Sequence, residues 1–183
     1  MALMYGFSAP HFDPWKMIKV IASVCDSLEN DGLFIIQEHD RIYSIFYKVG
    51  YKDLVPERID DERALVSIHA GYDIKRGVFK RAVVDLSKKA PPIIIDAYYW
   101  NLAELMALLW IFFKDVDLIK EDGRGTAGII LGFSPRHLLS ISDLKKLPRV
   151  LREKRSETDN EEYTIGMINR KLKMYLGEDL KIS

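Results

Sequence analysis

Apolar positions are densest from Tyr98 to Lys114 (Tyr-Tyr-Trp-Asn-Leu-Ala-Glu-Leu-Met-Ala-Leu-Leu-Trp-Ile-Phe-Phe-Lys), and Leu105 to Phe113 carry no polar side chain. Such a run predicts a helix covered on every face, with the rest of the fold arranged around it. On that reading Leu109 and Trp110 are buried on opposite sides. Asn101 stands at the N-cap with Glu104 three positions on, the spacing of a capping box, and Trp100 and Leu105 stand at the staple positions. Glu104 needs no chemical role to explain it.

Upstream, Asp13-Pro14 followed by Met17, Ile18, Ile21, Val24, Cys25 and Leu28 predicts a capped helix with proline in its first turn, ended by Asn30-Asp31-Gly32. Two β-rich runs, Leu33–Glu38 and Ile42–Val49, are separated only by His39-Asp40-Arg41 and read as a central hairpin. Pro56 and the acids Glu57, Asp60, Asp61 and Glu62 read as an exposed loop. A second hairpin follows in Ala64–Ala70 and Val78–Leu86. Phe79, Arg81, Val83 and Asp85 fall on one of its faces, and Val78, Lys80, Ala82, Val84 and Leu86 on the other. Pro91-Pro92 precedes a short strand, Ile93–Ile95, that leads to the apolar helix.

Past Lys114 the acids Asp115, Asp117, Glu121 and Asp122 carry the wrong sign for a helix end, so a break is expected near Asp115, with low order over 122–126. Ala127–Phe133 reads as a strand and Ser134-Pro135 as a helix start. Leu144–Arg155 reads as a helix kinked or divided at Pro148, and Glu161–Tyr175 as a final helix. These elements predict an α+β fold: a mainly antiparallel sheet of hairpins packed around a buried central helix (about 102–114), with an N-terminal helix and a C-terminal helical appendage. The expected division is a core over 1–134 and basic helices over 135–183, either appended or integral to one domain.

Composition narrows the class. The chain has 183 residues, no formal net charge, 48% hydrophobic and 30% charged residues, which excludes a disordered or fibrous chain. Cys25 is the single cysteine and sits at helical spacing with Ile18, Ile21 and Leu28, so it reads as a core residue in a reducing compartment. Gln37 is the only glutamine, a bias resembling that of proteins from hot habitats. The Tyr98–Lys114 run is too short to span a bilayer, and Met1–Ala9 has no charged-then-apolar pattern. The expected setting is the cytoplasm, without a membrane partner.

Several patterns are candidates for chemistry. Gly123-Arg124-Gly125-Thr126-Ala127-Gly128 has the glycine spacing of a dinucleotide fingerprint but opens a strand instead of a helix, so a tight turn and close backbone packing explain it better. His69 and Ser67 share a strand face, with Asp85 on the neighbouring strand, but no strained nucleophile turn accompanies them. Glu38, Asp85 and Asp96 lie near strand ends and are the candidate catalytic carboxylates, able to hold Mg²⁺ if they converge. No histidine pair has metal-ligand spacing, and no resident metal or cofactor is expected.

The most suggestive charge pattern runs from Arg136 to Arg155, with seven basic residues against two acids. On a helix, Lys145, Arg149 and Arg152 line a face beside the stripe Leu144, Leu147 and Leu151, with Arg155 flanking. Such a face suits phosphates or an acidic protein. Lys75, Arg76, Lys80, Arg81, Lys88 and Lys89 form a second basic region. The expected function is therefore a non-catalytic binding or assembly protein contacting nucleic acid or an acidic protein through Lys145, Arg149, Arg152 and Arg155. The alternatives are a metal-dependent nuclease or phosphodiesterase and a small-ligand sensor.

Overall fold

The computed structural model describes residues 1–88, 90–121, 126–152 and 164–177. Its strands are β1 (Ala2–Met4), β2 (Leu33–His39), β3 (Leu54–Ile59), β4 (Ala64–Asp73), β5 (Val78–Asp85), β6 (Ile93–Ala97), β7 (Phe113–Lys120) and β8 (Ala127–Pro135). Its helices are α1 (Pro14–Ser27), α2 (Arg41–Tyr43), α3 (Leu102–Phe112), α4 (Arg149–Arg152) and α5 (Ile165–Leu176). They form an α+β fold with two four-stranded sheets, ordered β1-β2-β8-β7 and β3-β4-β5-β6. The chain falls into two compact units, Met1–Gly50 with Tyr98–Glu153 and Tyr51–Ala97 with Lys154–Ser183.

In the first unit β1 and β2 are parallel and joined through α1, while β8 is antiparallel to both β2 and β7. Asp13 caps α1 by accepting from the Lys16 amide at 2.9 Å, and Pro14 occupies the first turn. Met17, Ile21, Ala22 and Cys25 of α1 meet Phe34, Ile36, Phe113 and Ile130 of the sheet and Leu105, Leu109 and Phe112 of α3 in one core. The capping box at α3 is present. The Asn101 side chain accepts from the Glu104 amide at 2.7 Å, and Glu104 accepts from the Asn101 amide at 3.4 Å.

The second unit is an antiparallel meander. Val66, Ile68 and Ala70 of β4 and Ala82 and Val84 of β5 pack with Ile168 and Leu172 of α5. Alternation sets this face, because residues two apart on a strand project the same way. Thr164 caps α5 by accepting from the Met167 amide.

Several expectations change. Helix α3 buries one face only: Leu109 is fully covered, but Trp110 is 61% and Ile111 51% exposed. Its uniform hydrophobicity therefore misstates its environment. Ile42–Val49 is helical, α2 running into a wide turn over Ser44–Val49, and β2 pairs with β1 and β8 instead of forming a hairpin with that run. Asp40 explains the helical choice, since its side chain accepts from the Tyr43 amide at 2.8 Å and its carbonyl from Ser44. The run after Phe112 turns directly into strand β7, and Ser134-Pro135 ends β8 instead of starting a helix. The segment read as an acidic loop contains β3, whose register shifts between Pro56 and Arg58. Within Leu144–Arg155 only Arg149–Arg152 is helical among the described residues, while 153–155, the 156–160 joint and the low-order stretch 122–125 lie outside them.

Cys25 is fully buried, and that burial, with the Asp26 charge beside it, pushes its thiol up from 9.0 to about 11. A raised thiol favours the native state below about pH 9 and removes that advantage as the pH climbs through about 11. Native protein at pH 8 should stay unlabelled by a disulfide thiol reagent, and denaturant should release one reactive thiol. Rapid labelling without denaturant would mean that α1 does not seal the core.

Candidate functional site

Ligands of open sheets with parallel strands gather beyond the carboxyl ends of those strands. Here those ends belong to β1 and β2. After β1 the chain turns sharply through Gly6 (φ 80°) and Phe7 (φ 56°), a left-handed pair in which only glycine is unstrained. Phe7 is held there from two sides. Its ring stacks on His39 with centroids 3.9 Å apart, and its carbonyl accepts from Arg41 Nη2 at 3.1 Å.

Glu38 organises this end of the unit. It is completely buried, and its carboxylate accepts from the Ala9 amide at 3.0 Å, the His39 amide at 2.8 Å and Arg41 Nη2 at 3.0 Å. A carboxylate out of water needs such a set of donors. Trp100 adds a second tie, its indole N–H donating to the carbonyls of Ala9 (3.2 Å) and Phe12 (2.9 Å). The Tyr98 amide donates to Pro10, and the Arg41 amide to Trp100. The result is a braced loop, Tyr5–Phe12, beside His39 and Arg41. Arg41 Nε is buried and has no hydrogen-bond partner among the described residues.

The second unit carries a different cluster. Register puts His69 opposite Arg81. The Tyr51 hydroxyl lies 2.7 Å from His69 Nδ1, within hydrogen-bond distance. Arg81, only 6% exposed, donates from Nε to Ser67 Oγ (2.9 Å), from Nη1 to Tyr51 Oη (3.4 Å) and the Lys52 carbonyl (3.1 Å), and from Nη2 to the carbonyls of Asp53 (3.4 Å) and Ser67 (2.8 Å). That satisfies the full guanidinium fork. The rings of Tyr51, Phe79 and Tyr72 continue the cluster, at 5.3 Å and 4.9 Å between neighbours. Lys171 of α5 bridges the Asp53 carboxylate (2.9 Å) and the His69 carbonyl (3.0 Å). Burial, and next the charge of Asp53, raises the Tyr175 hydroxyl above its ordinary value.

Of the residues singled out from sequence, Glu38 is a bracing group whose oxygens are engaged by three donors. Asp96 pairs with Arg76 at 2.6 Å, and Asp85 caps a turn by accepting from the Ser87 amide at 3.0 Å. Among the described residues, no three His, Cys, Asp or Glu side chains are grouped to hold a metal ion. Ser67 and His69 do share a face, but Ser67 Oγ is buried between Glu57 and Arg81, and Asp85 pairs opposite Leu65. Gly128 is a packing position: a Cβ there would come within 2.8 Å of Leu118.

The basic residues do not form the expected face. Lys145 sits in a turn, Arg149 and Arg152 are exposed in the four-residue α4, and Arg155 lies outside the described residues. Leu144 is drawn against the core, which breaks the helical stripe. In the second basic region Arg76 is paired and Arg81 is buried. Phe7, His39, Arg41, Trp100 and Tyr51 were missed by sequence reasoning. The three-residue spacing of Glu38 and Arg41 is the one signal that could have found part of the brace. Among the described residues no helix is long and apolar enough to cross a membrane.

No protein-family profile and no curated protein matches the chain. Solved structures do. The chain is similar to the CcbJ methyltransferase from Streptomyces caelestis, with 11% identity and a TM-score of 0.51 over 73% of this chain and 55% of that one. It also aligns with DesVI from Streptomyces venezuelae at 16% identity and a TM-score of 0.41, over 72% of this chain and 57% of that one. The chain spans little more than half the length of either protein. The likeness to CcbJ is to the fold of an enzyme. It stands against the expectation of a non-catalytic binding or assembly protein.

Proposed function

We propose that the chain is part of a methyl-transfer catalyst, with the carboxyl ends of β1 and β2 facing the reacting groups. The observation that carries this reading is the place of the braced Tyr5–Phe12 loop, with His39 and Arg41, at the parallel strand ends of a fold similar to that of a methyltransferase. Methyl transfer moves a methyl group from a donor to a nucleophilic acceptor, and its catalysts act mainly by holding the two in line and excluding water. The fixed turn at Gly6 and Phe7, locked by Arg41 and His39, supplies rigid backbone for that purpose. The lone buried thiol fits a reducing setting such as the cytoplasm.

Titration with S-adenosylmethionine, the general biological methyl donor, tests this by heteronuclear NMR. The amide signals of Gly6, Phe7, Ser8, His39 and Arg41 should shift saturably, and Phe7→Ala should weaken that response about tenfold, roughly 1.4 kcal/mol. Unmoved signals at millimolar donor would overturn the proposal.

A further inference from the structure

The first unit carries an aromatic face in water. Between the Asp40 cap and Gly50 the chain is helical, with α2 widening over Ser44–Val49. Ile42 and Ile45 are half-buried, whereas Tyr43, Phe46 and Tyr47, at three- and four-residue spacing, are exposed. The Tyr43 and Tyr47 rings stack with centroids 5.1 Å apart, so the two project the same way. Phe46 is 83% and Tyr47 78% exposed, and Val49 follows at 57%. Single exposed apolar side chains need no explanation, but a cluster of them marks an interaction surface.

The polar groups of the segment narrow the occupant. From Arg41 to Lys52 there is no acid, and the cations are Arg41, Lys48 and Lys52. Arg41 is held by Glu38, but Lys48 is exposed, with its ammonium 5.9 Å from the centre of the Tyr43 ring. The face therefore combines a phenyl ring, two phenol hydroxyls and a cation. A dry protein groove would need a partner for each hydroxyl that it closed over. A small ligand would be covered on one side only by so exposed a helix, whereas binding pockets enclose most of their ligand. A bilayer interface suits all of the groups together: phosphates take the ammonium, headgroup water takes the hydroxyls and the acyl boundary takes the phenyl ring.

We infer that the Tyr43–Val49 face docks on a phospholipid surface. Phe46 enters the acyl boundary, Tyr43 and Tyr47 lie at headgroup level, and Lys48 meets phosphate. Attachment of this kind lies on the bilayer and needs no spanning helix. The docking segment springs from the carboxyl end of β2, the strand end that carries the candidate site. Its argument comes from exposure and side-chain chemistry, so it stands without the methyl-transfer reading.

Flotation of the full chain with vesicles tests the inference, using phosphatidylcholine alone and an equimolar mixture with phosphatidylglycerol. The protein should float with both, and more with the mixture, where Lys48 meets added negative charge. Phe46→Ser should lower the partition coefficient at least about tenfold, the effect of keeping one phenyl ring in water. Because Phe46 is already exposed, its thermal transition should not move. Ile74→Ser, at a similarly exposed residue of the second unit, should leave the partition unchanged. Nitroxide-labelled lipid should broaden the amide signals of Tyr43 to Val49 before any others, and inorganic phosphate should not compete. Absence of partition into both vesicles, or partition insensitive to Phe46→Ser, would overturn the inference. So would complete release by salt or by phosphate, which would mean a purely ionic contact, or broadening centred elsewhere. Methyl-donor titration is read without lipid, so either idea can fail without the other.

Discussion

Glu38→Ala is expected to destabilise the first unit by about 3–5 kcal/mol, the usual consequence of removing one partner of a buried ion pair. The carboxylate is the common acceptor for the Ala9 amide, the His39 amide and Arg41. Alanine leaves all three donors without it, the Ala9 amide in a region closed to water. Glu38→Gln keeps the shape but offers one oxygen instead of two and turns an amino group towards a donor, so a smaller loss of about 1–3 kcal/mol is expected. Denaturant unfolding of the three proteins gives the comparison. A loss below ~1 kcal/mol for alanine, as for solvent-screened pairs, would show that water reaches this carboxylate.

Leu109→Ala should cost about 2–5 kcal/mol, because the side chain is fully enclosed by the core of α1, α3 and the sheet. Its neighbour should behave differently. Trp110 is mostly in water, and its replacement by alanine should change stability by no more than ~1 kcal/mol. Parallel melts of the two variants measure the difference directly. Equal losses would mean that the outer face of α3 is covered.

The contrast between these neighbours marks what a sequence can disclose. Features set by adjacent residues were legible: the Asn101–Glu104 box, the Asp13 cap of α1 and the β4–β5 hairpin. Each depends on groups a few positions apart. What failed depended on distant partners. Ile42–Val49 has a strong β preference, but Asp40 and the Glu38–Arg41 pair turn it into helix, a tertiary effect overriding propensity. Strand β7 alternates charged and apolar residues, yet it follows a helix with no turn residue between them, so its start was invisible. Strand β1 is three residues long, too short for any periodicity.

The site shows the same division. Glu38 drew notice as a carboxylate at a strand end, but its donors come from Ala9 and Arg41, and nothing in spacing places Ala9 there. Arg81 was counted as part of a second basic region. The carbonyls of Lys52, Asp53 and Ser67 bury it, and backbone carbonyls leave no trace in composition. The basic run failed as a helical face because Leu144 is held by the core and Pro148 interrupts the geometry that would have aligned its cations.

The ladder between β2 and β8, in which Leu33 meets Phe133 and His39 meets Ala127, has a consequence for how the molecule assembles. Strands β3 to β6 pair with their chain neighbours and close small loops, whereas β2 waits for a partner that leaves the ribosome long after it. The meander can condense during synthesis while β2, with its alternate buried side chains, remains open. Any delay in translation between Gly50 and Ala127 therefore lengthens the interval in which the β8 side of β2 is available to chaperones or to other nascent chains.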